Sequence, residues 1–195
     1  LPNEGVVTTK EIDKLLAEIA ASYTGSHYDY SKLAANIAIS SYHKETNPSF
    51  SETMKVLAED GVINQELIKM IDEYGPDKID AAVNHDRDFK FDYFAWRSLH
   101  EMYLTKTSAG KQIERPQHMY MRVAIWVTKS LDEAIEYYEA LSNQFISPAT
   151  PIMINSGTKI PQLASCVLHY NNDDSRNGLL DSLRDISVYS ADAAG

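Results

Sequence analysis

Apolar residues recur at helical spacing in one segment after another from Thr8 to Phe145, and this periodicity restricts the chain to a mainly α fold. Ile12, Leu15, Leu16, Ile19 and Ala20 form the first stripe, with Thr8 or Thr9 as cap and Glu11 in the first turn, and a stop near Thr24-Gly25. Leu33, Ala34, Ile37, Ala38 and Ser41 form the second, from about Tyr30 to His43, where small residues permit close approach; the two helices read as an antiparallel pair. Asn47-Pro48-Ser49 breaks the pattern, and Ser49 caps a third helix carrying Phe50, Met54, Val56 and Leu57. Asp60-Gly61 turns the chain. Leu67, Ile68, Met70 and Ile71 mark a fourth helix closed by Gly75-Pro76, and a short one follows over Lys78–Val83. Phe94–Leu104 reads as helical. Pro116 opens a helix with Met119, Val123 and Trp126 on its buried stripe. Ser130 caps the next, with Leu131, Ala134, Ile135, Tyr138, Leu141 and Phe145.

With 195 residues, 44% of them hydrophobic, the chain can bury a sizeable core. The net charge of −10 argues against a general nucleic-acid binder, which needs cations for phosphates, yet leaves room for a site for one anionic nucleotide. No apolar run reaches the roughly 20 residues of a membrane span, and Leu1–Gly5 lacks the pattern of a secretory signal. A single cysteine cannot form an internal disulfide, which fits a reducing cytoplasm or a partner thiol elsewhere. The chain begins without Met and ends on Ala193-Ala194-Gly195, so both ends are expected to be cuts in a longer protein.

Three internal clusters invite functional readings. Asn84–Asp88 could hold a metal through His85 and its acids, but adjacent residues seldom converge on one ion; a buried corner in which Arg87 and the carboxylates satisfy one another and nearby helix ends is the simpler expectation. Phe89, Phe91, Tyr93, Phe94 and Trp96 read as core, because a base-stacking platform would want basic neighbours. Lys106–Lys111 contains Gly-Lys but lacks the first glycine and the Ser/Thr of a phosphate loop.

The character changes at Ile146, where proline, glycine and Asn-Ser pairs appear. Thr150 sits between Pro148 and Pro151, where its hydroxyl could face a ligand or cap a helix or turn. Leu163–His169 reads as a short strand containing Cys166, with Ser165 on the opposite face unless the strand bends there. Residues 171–175 form a turn, and Leu179–Ser190 a final helix with Leu180, Leu183, Ile186 and Val188 as its apolar face. Strand, turn and helix in succession are how an α/β unit begins. Cys166 itself could be a small buried hydrophobe or a reactive thiol.

The run Ser147-Pro148-Ala149-Thr150-Pro151, Asn155-Ser156-Gly157-Thr158 and Pro161-Gln162-Leu163-Ala164-Ser165-Cys166 resembles the large (α) subunits of class I ribonucleotide reductases, in particular their eukaryote-like form. The likeness extends through Gly5–Thr9 with Asp13, Asp29-Tyr30 through His43–Thr46, Asp86–Phe89 and Glu114–Met119. Ser156 stands where alanine is usual, Ala164 where serine is usual, and Asp192-Ala193 departs from a Lys/Ser-Ala-Gly pattern.

The resemblance implies a helical domain, with the tail of an ATP cone, leading into the first strand and helix of a ten-stranded α/β barrel. Residues 1–46 would be the cone's C-terminal part, 47–145 the helical N-terminal domain and 146–195 the start of the barrel. It implies that Cys166 is a redox-active cysteine whose partner is absent here, and that Thr150 and Ser165 bind substrate. Asp174, Ser175 and Arg176 would open the specificity-effector site, and Thr9, Asp13 and Lys44 would be remnants of the cone's ATP site. ATP or a deoxynucleotide would be the allosteric effector. No metal is expected on this chain; a metal-dependent radical is expected in the small subunit. The implied partners are a ribonucleoside diphosphate, the radical-generating small subunit, thioredoxin or glutaredoxin, the rest of the large subunit and a second copy of it. Neither nucleic acid nor a membrane is expected. The alternative expectation is a non-catalytic helical module that binds nucleotide or a partner chain, or one half of a split reductase.

Overall fold

A computed structural model describes residues 7–171 and 173–191. Leu1–Val6, Asn172 within the expected turn, and Asp192-Ala193 with the terminal Ala194-Gly195 lie outside the described residues. Ten α-helices are present among them: α1 (Thr9–Ser22), α2 (Asp29–Glu45), α3 (Phe50–Glu59), α4 (Gln65–Tyr74), α5 (Pro76–Ala82), α6 (Tyr93–Ser98), α7 (Pro116–Val127), α8 (Leu131–Ser142), α9 (Thr150–Asn155) and α10 (Arg176–Ala191). A 3-10 turn (His85–Lys90) precedes α6, and a π-helical turn (Leu99–Tyr103) continues it.

The helices start where side chains can satisfy their free amides. Thr8 and Glu11 form a reciprocal capping box on α1. Ser49, Asn64, Asp92 and Ser130 accept from the first-turn amides of α3, α4, α6 and α8. Gly75 takes a φ of 94° between α4 and α5, a region that favours glycine.

The body is built around α7. Every residue from Pro116 to Ile125 is buried, so this helix is covered on all sides rather than striped. Phe50, Met54 and Leu57 of α3, Leu67 and Ile71 of α4, and Tyr138 and Leu141 of α8 close over it. α1 runs antiparallel to α2, since Lys10 pairs with Glu45 and Asp13 with Lys44 at opposite ends of the two sequences.

Several expectations fail. α1 buries Ala17 and Ala20, while its larger stripe of Ile12, Leu15, Leu16 and Ile19 stays about half exposed. The alanines let α1 sit close on α2, and no described segment covers the other face. α1 also stops at Ser22, before Gly25. Phe94 and Phe145 point to solvent, whereas Phe91 and Trp96 are core. Phe145 follows Gln144, whose φ of 64° ends α8 and turns the chain out of the helix. Of the expected Arg87 corner, the helix-end part holds, since Arg87 bonds Glu139 and Ser142 in the last turn of α8, while the pairing with its neighbouring acids does not form. Leu163–His169 is not a strand: it is irregular, with a bend at Ser165. A strand needs a neighbour for its backbone amides and carbonyls, and no described segment runs alongside. The helix expected after it does form, but α10 buries none of its residues.

Candidate functional site

The stretch from Ser147 to Cys166 is held to the helical body by a buried clasp. Arg122 on α7 is completely buried and donates to both oxygens of Glu114, through Nε at 2.7 Å and Nη2 at 3.2 Å. The same guanidinium donates to the carbonyls of Met153, Ile154 and Ser156 at the end of α9. Those carbonyls have no partner within so short a helix, and a fork of five donors suits them. Beyond them Gly157 turns the chain with φ of 72°; a Cβ there would come within 2.9 Å of Leu67. The turn then joins the α3–α4 loop, with Asn64 N donating to Gly157 O and Lys159 N to Val62 O. Asn155, itself buried, donates to Gln162 O at 2.7 Å and so fixes the approach to Ser165.

Thr150 opens α9 on the surface, and its hydroxyl lies 3.2 Å from Tyr103 Oη at the end of the π-helical turn. Cys166 is exposed, and the bend at Ser165 brings that hydroxyl to 3.8 Å from its Sγ, so the two side chains do not face apart. No hydrogen bond links Thr150 to Ser165 or Cys166 among the described residues. Ser175 caps α10 by accepting from Gly178 N and donates to Asp173, while Asp174 and Arg176 are exposed beside it. Asp13 and Lys44 meet at 3.4 Å, with Thr9 one turn earlier on α1.

At the N-terminal end of α7 lies a polar knot. Asp88, fully buried, accepts from Gln117 Nε2 at 2.9 Å and pairs with His43 Nε2 at 2.8 Å. His85 and His118 both reach Pro48 O through Nε2. A carbonyl only accepts, so both rings carry the proton on Nε2 and present a bare Nδ1. Burial pushes the pKa of both down, that of His118 well below the ordinary value. Burial likewise raises the Tyr120 phenol to about 12. Among the described residues no three His, Cys, Asp or Glu side chains converge on a metal-binding point.

Residues 89–161 match the family model described as "Ribonucleotide reductase, all-alpha domain". Over 97% of its length the chain is 39% identical to the ribonucleoside-diphosphate reductase large subunit of Arabidopsis thaliana, and 40% identical to those of Danio rerio and Caenorhabditis elegans. It covers 24%, 25% and 25% of those three proteins, about a quarter of each, in their N-terminal portion. The chain is a relative of ribonucleotide reductase large subunits. The all-alpha match takes in α6 to α9 and ends where the clasp ends.

Seen as a ribonucleotide reductase relative, the chain places the resemblance-derived residues in four separate groups: Thr150 against Tyr103, Ser165 with Cys166, Asp174 to Arg176 at the start of α10, and Asp13 with Lys44 one turn from Thr9. Sequence reasoning missed Tyr103, Glu114 and Arg122. Glu114 and Arg122 are eight residues apart, a spacing that signals no helix-surface pair. The family-like run Glu114–Met119 contained the hint, since its polar residues Glu114, Arg115, Gln117 and His118 all prove to be buried.

Proposed function

We propose that this chain is the N-terminal part of a ribonucleoside-diphosphate reductase large subunit and takes part in reducing ribonucleoside diphosphates to deoxyribonucleoside diphosphates. The observation that supports it most is the breadth of the match: about 40% identity along 97% of the chain to proteins bearing that name. In this reading residues 1–46 are the end of an ATP cone, 47–145 the helical domain and 146–195 the lead into the catalytic barrel, whose neighbouring strands come from the rest of the subunit.

The net reaction joins a ribonucleoside diphosphate and a dithiol to give the deoxynucleotide, a disulfide and water. The two electrons come from the thiol pair as its S–S bond forms, and the 2′-hydroxyl leaves as water. Cys166 is one thiol of that pair. Its exposed position leaves it open to re-reduction by thioredoxin or glutaredoxin. Thr150 and Ser165 hydrogen-bond the nucleotide; the clasp fixes the C-terminal end of α9, and the contact of Thr150 with Tyr103 ties its start. Asp174, Ser175 and Arg176 take up the specificity effector at the contact with a second subunit. Thr9, Asp13 and Lys44 belong to the ATP-responsive site. The small subunit supplies the metal-dependent radical, and the cytoplasm is the compartment that keeps the thiols reduced.

The test is diphosphate reduction by the chain joined to the remaining large subunit, with the small subunit and a dithiol donor. Cys166→Ser is expected to abolish multiple turnover. Sustained turnover by that variant would remove Cys166 from the redox pair.

A further inference from the structure

A cleft of about 540 Å³ opens between the α1–α2 pair on one side and α6, the π-helical turn and the 106–112 hairpin on the other. It is separate from Thr150 and Cys166 and shares no lining residue with Thr9, Asp13 or Lys44. Its floor is aromatic: Trp96 and His100 lie 5.3 Å apart, and Tyr42 stands edge-on to His100 at 5.1 Å. Its rim is cationic. Lys10, Lys14, Arg97, Lys106 and Lys111 line it against Glu18, Glu45 and Glu101, an excess of positive charge in a chain of net charge −10.

The pairing within the cleft says which cations are available. Lys10 is taken by Glu45, Arg97 by Glu101, and Lys106 leans on the Glu101 carbonyl. The ammonium groups of Lys14 and Lys111 have no carboxylate or carbonyl partner among the described residues, and neither ring nitrogen of His100 has a hydrogen-bond partner there. His100 sits on a π-helical turn, and such turns concentrate at functional sites because the widened backbone re-aims side chains. The backbone of that residue is held in place by Gln112, whose amide donates to His100 O. A volume near 540 Å³ is that of a small-molecule pocket.

We propose that this cleft is a binding site for a polyphosphate group, with Lys14 and Lys111 as its charge partners and His100 as a hydrogen-bonding contact at the aromatic floor. Two free ammonium groups on opposite walls suit an extended anion that bridges them. An acidic peptide would need a longer apolar track than Ala17, Ala38 and the edges of Tyr42 and Trp96 provide. The proposal uses none of the side chains assigned to the reductase chemistry, and Lys44→Ala separates it from the ATP-responsive site.

Calorimetry on the 195-residue chain at low ionic strength, with inorganic tripolyphosphate and with ATP as probes, tests it. Both are expected to bind. Equal affinities mean the phosphates alone are read, and tighter ATP binding means the ring also uses the floor. The double variant Lys14→Ala/Lys111→Ala removes two surface charges without touching the core, and should weaken both probes by about tenfold or more. The imidazole resonances of His100, assigned by their loss in His100→Gln, should move on titration. Absence of binding by both probes would overturn the proposal. So would binding that survives the double variant, binding lost only with Lys44→Ala, or capture of an acidic peptide in place of either phosphate.

Discussion

Arg122 is the largest fully buried side chain among the described residues. Its charge is tolerable there only because Glu114 and three carbonyls surround it. Glu114→Ala should therefore cost about 3–5 kcal/mol, since it strands a buried cation and also orphans the Thr105 amide, now 2.7 Å from Glu114 Oε2. A lower urea midpoint at unchanged slope would report it. His85 and His118 make stability depend on pH. Burial lowers both from the ordinary 6.5, so the unfolded chain takes up protons first as pH falls through about 6.5 while the folded rings stay neutral. Stability is full above that pH and declines below it, until the folded rings protonate at their lowered values. Denaturation midpoints should drop between pH 7.5 and 5.5, with a shallower drop in His118→Asn. Single residues were unevenly legible. Cys166 drew notice as the lone thiol, whereas an arginine in a helix reads as surface, and Arg122's carbonyl partners lie more than thirty residues downstream.

At the scale of elements, periodicity found the helices because each buried stripe or cap leaves a local trace. It did not say what each stripe would meet. The stripe of α1 falls on a helix as its spacing predicts, yet of its members only Ala20, beside Ala17, is buried. The Leu163–His169 segment failed for the complementary reason: strand formation depends on a neighbour, which local sequence does not encode. The 156–160 turn is a case where local chemistry suffices. Gly157 adopts a left-handed φ with Leu67 and Arg122 pressed against it. Gly157→Ala should lose about 1–3 kcal/mol from backbone strain alone, and more if Leu67 cannot yield. Comparing melting curves of the variant with those of Gly61→Ala, where only the tip of Lys159 intrudes, would separate strain from crowding.

For the whole molecule, the body and the C-terminal stretch differ in how they are held. Residues around α7 are enclosed on every side, while Leu168 and Tyr170 are fully or largely exposed in irregular chain and α10 buries nothing. Brief chymotrypsin treatment should cut after Leu168 and Tyr170 well before any site in α7, leaving a stable product that ends at one of these two residues; mass spectrometry reads the ends. Early cleavage inside the body would contradict this division. The clasp also has a temporal side. The carbonyls that receive Arg122 lie 31 to 34 residues after it in the chain. A ribosome emerging with α7 complete has made the cation but not the groups that surround it. The central helix must therefore wait, solvated or loosely collapsed, until Ser156 has been synthesised, and the last step of closing the body is set by translation of the very segment that carries Thr150.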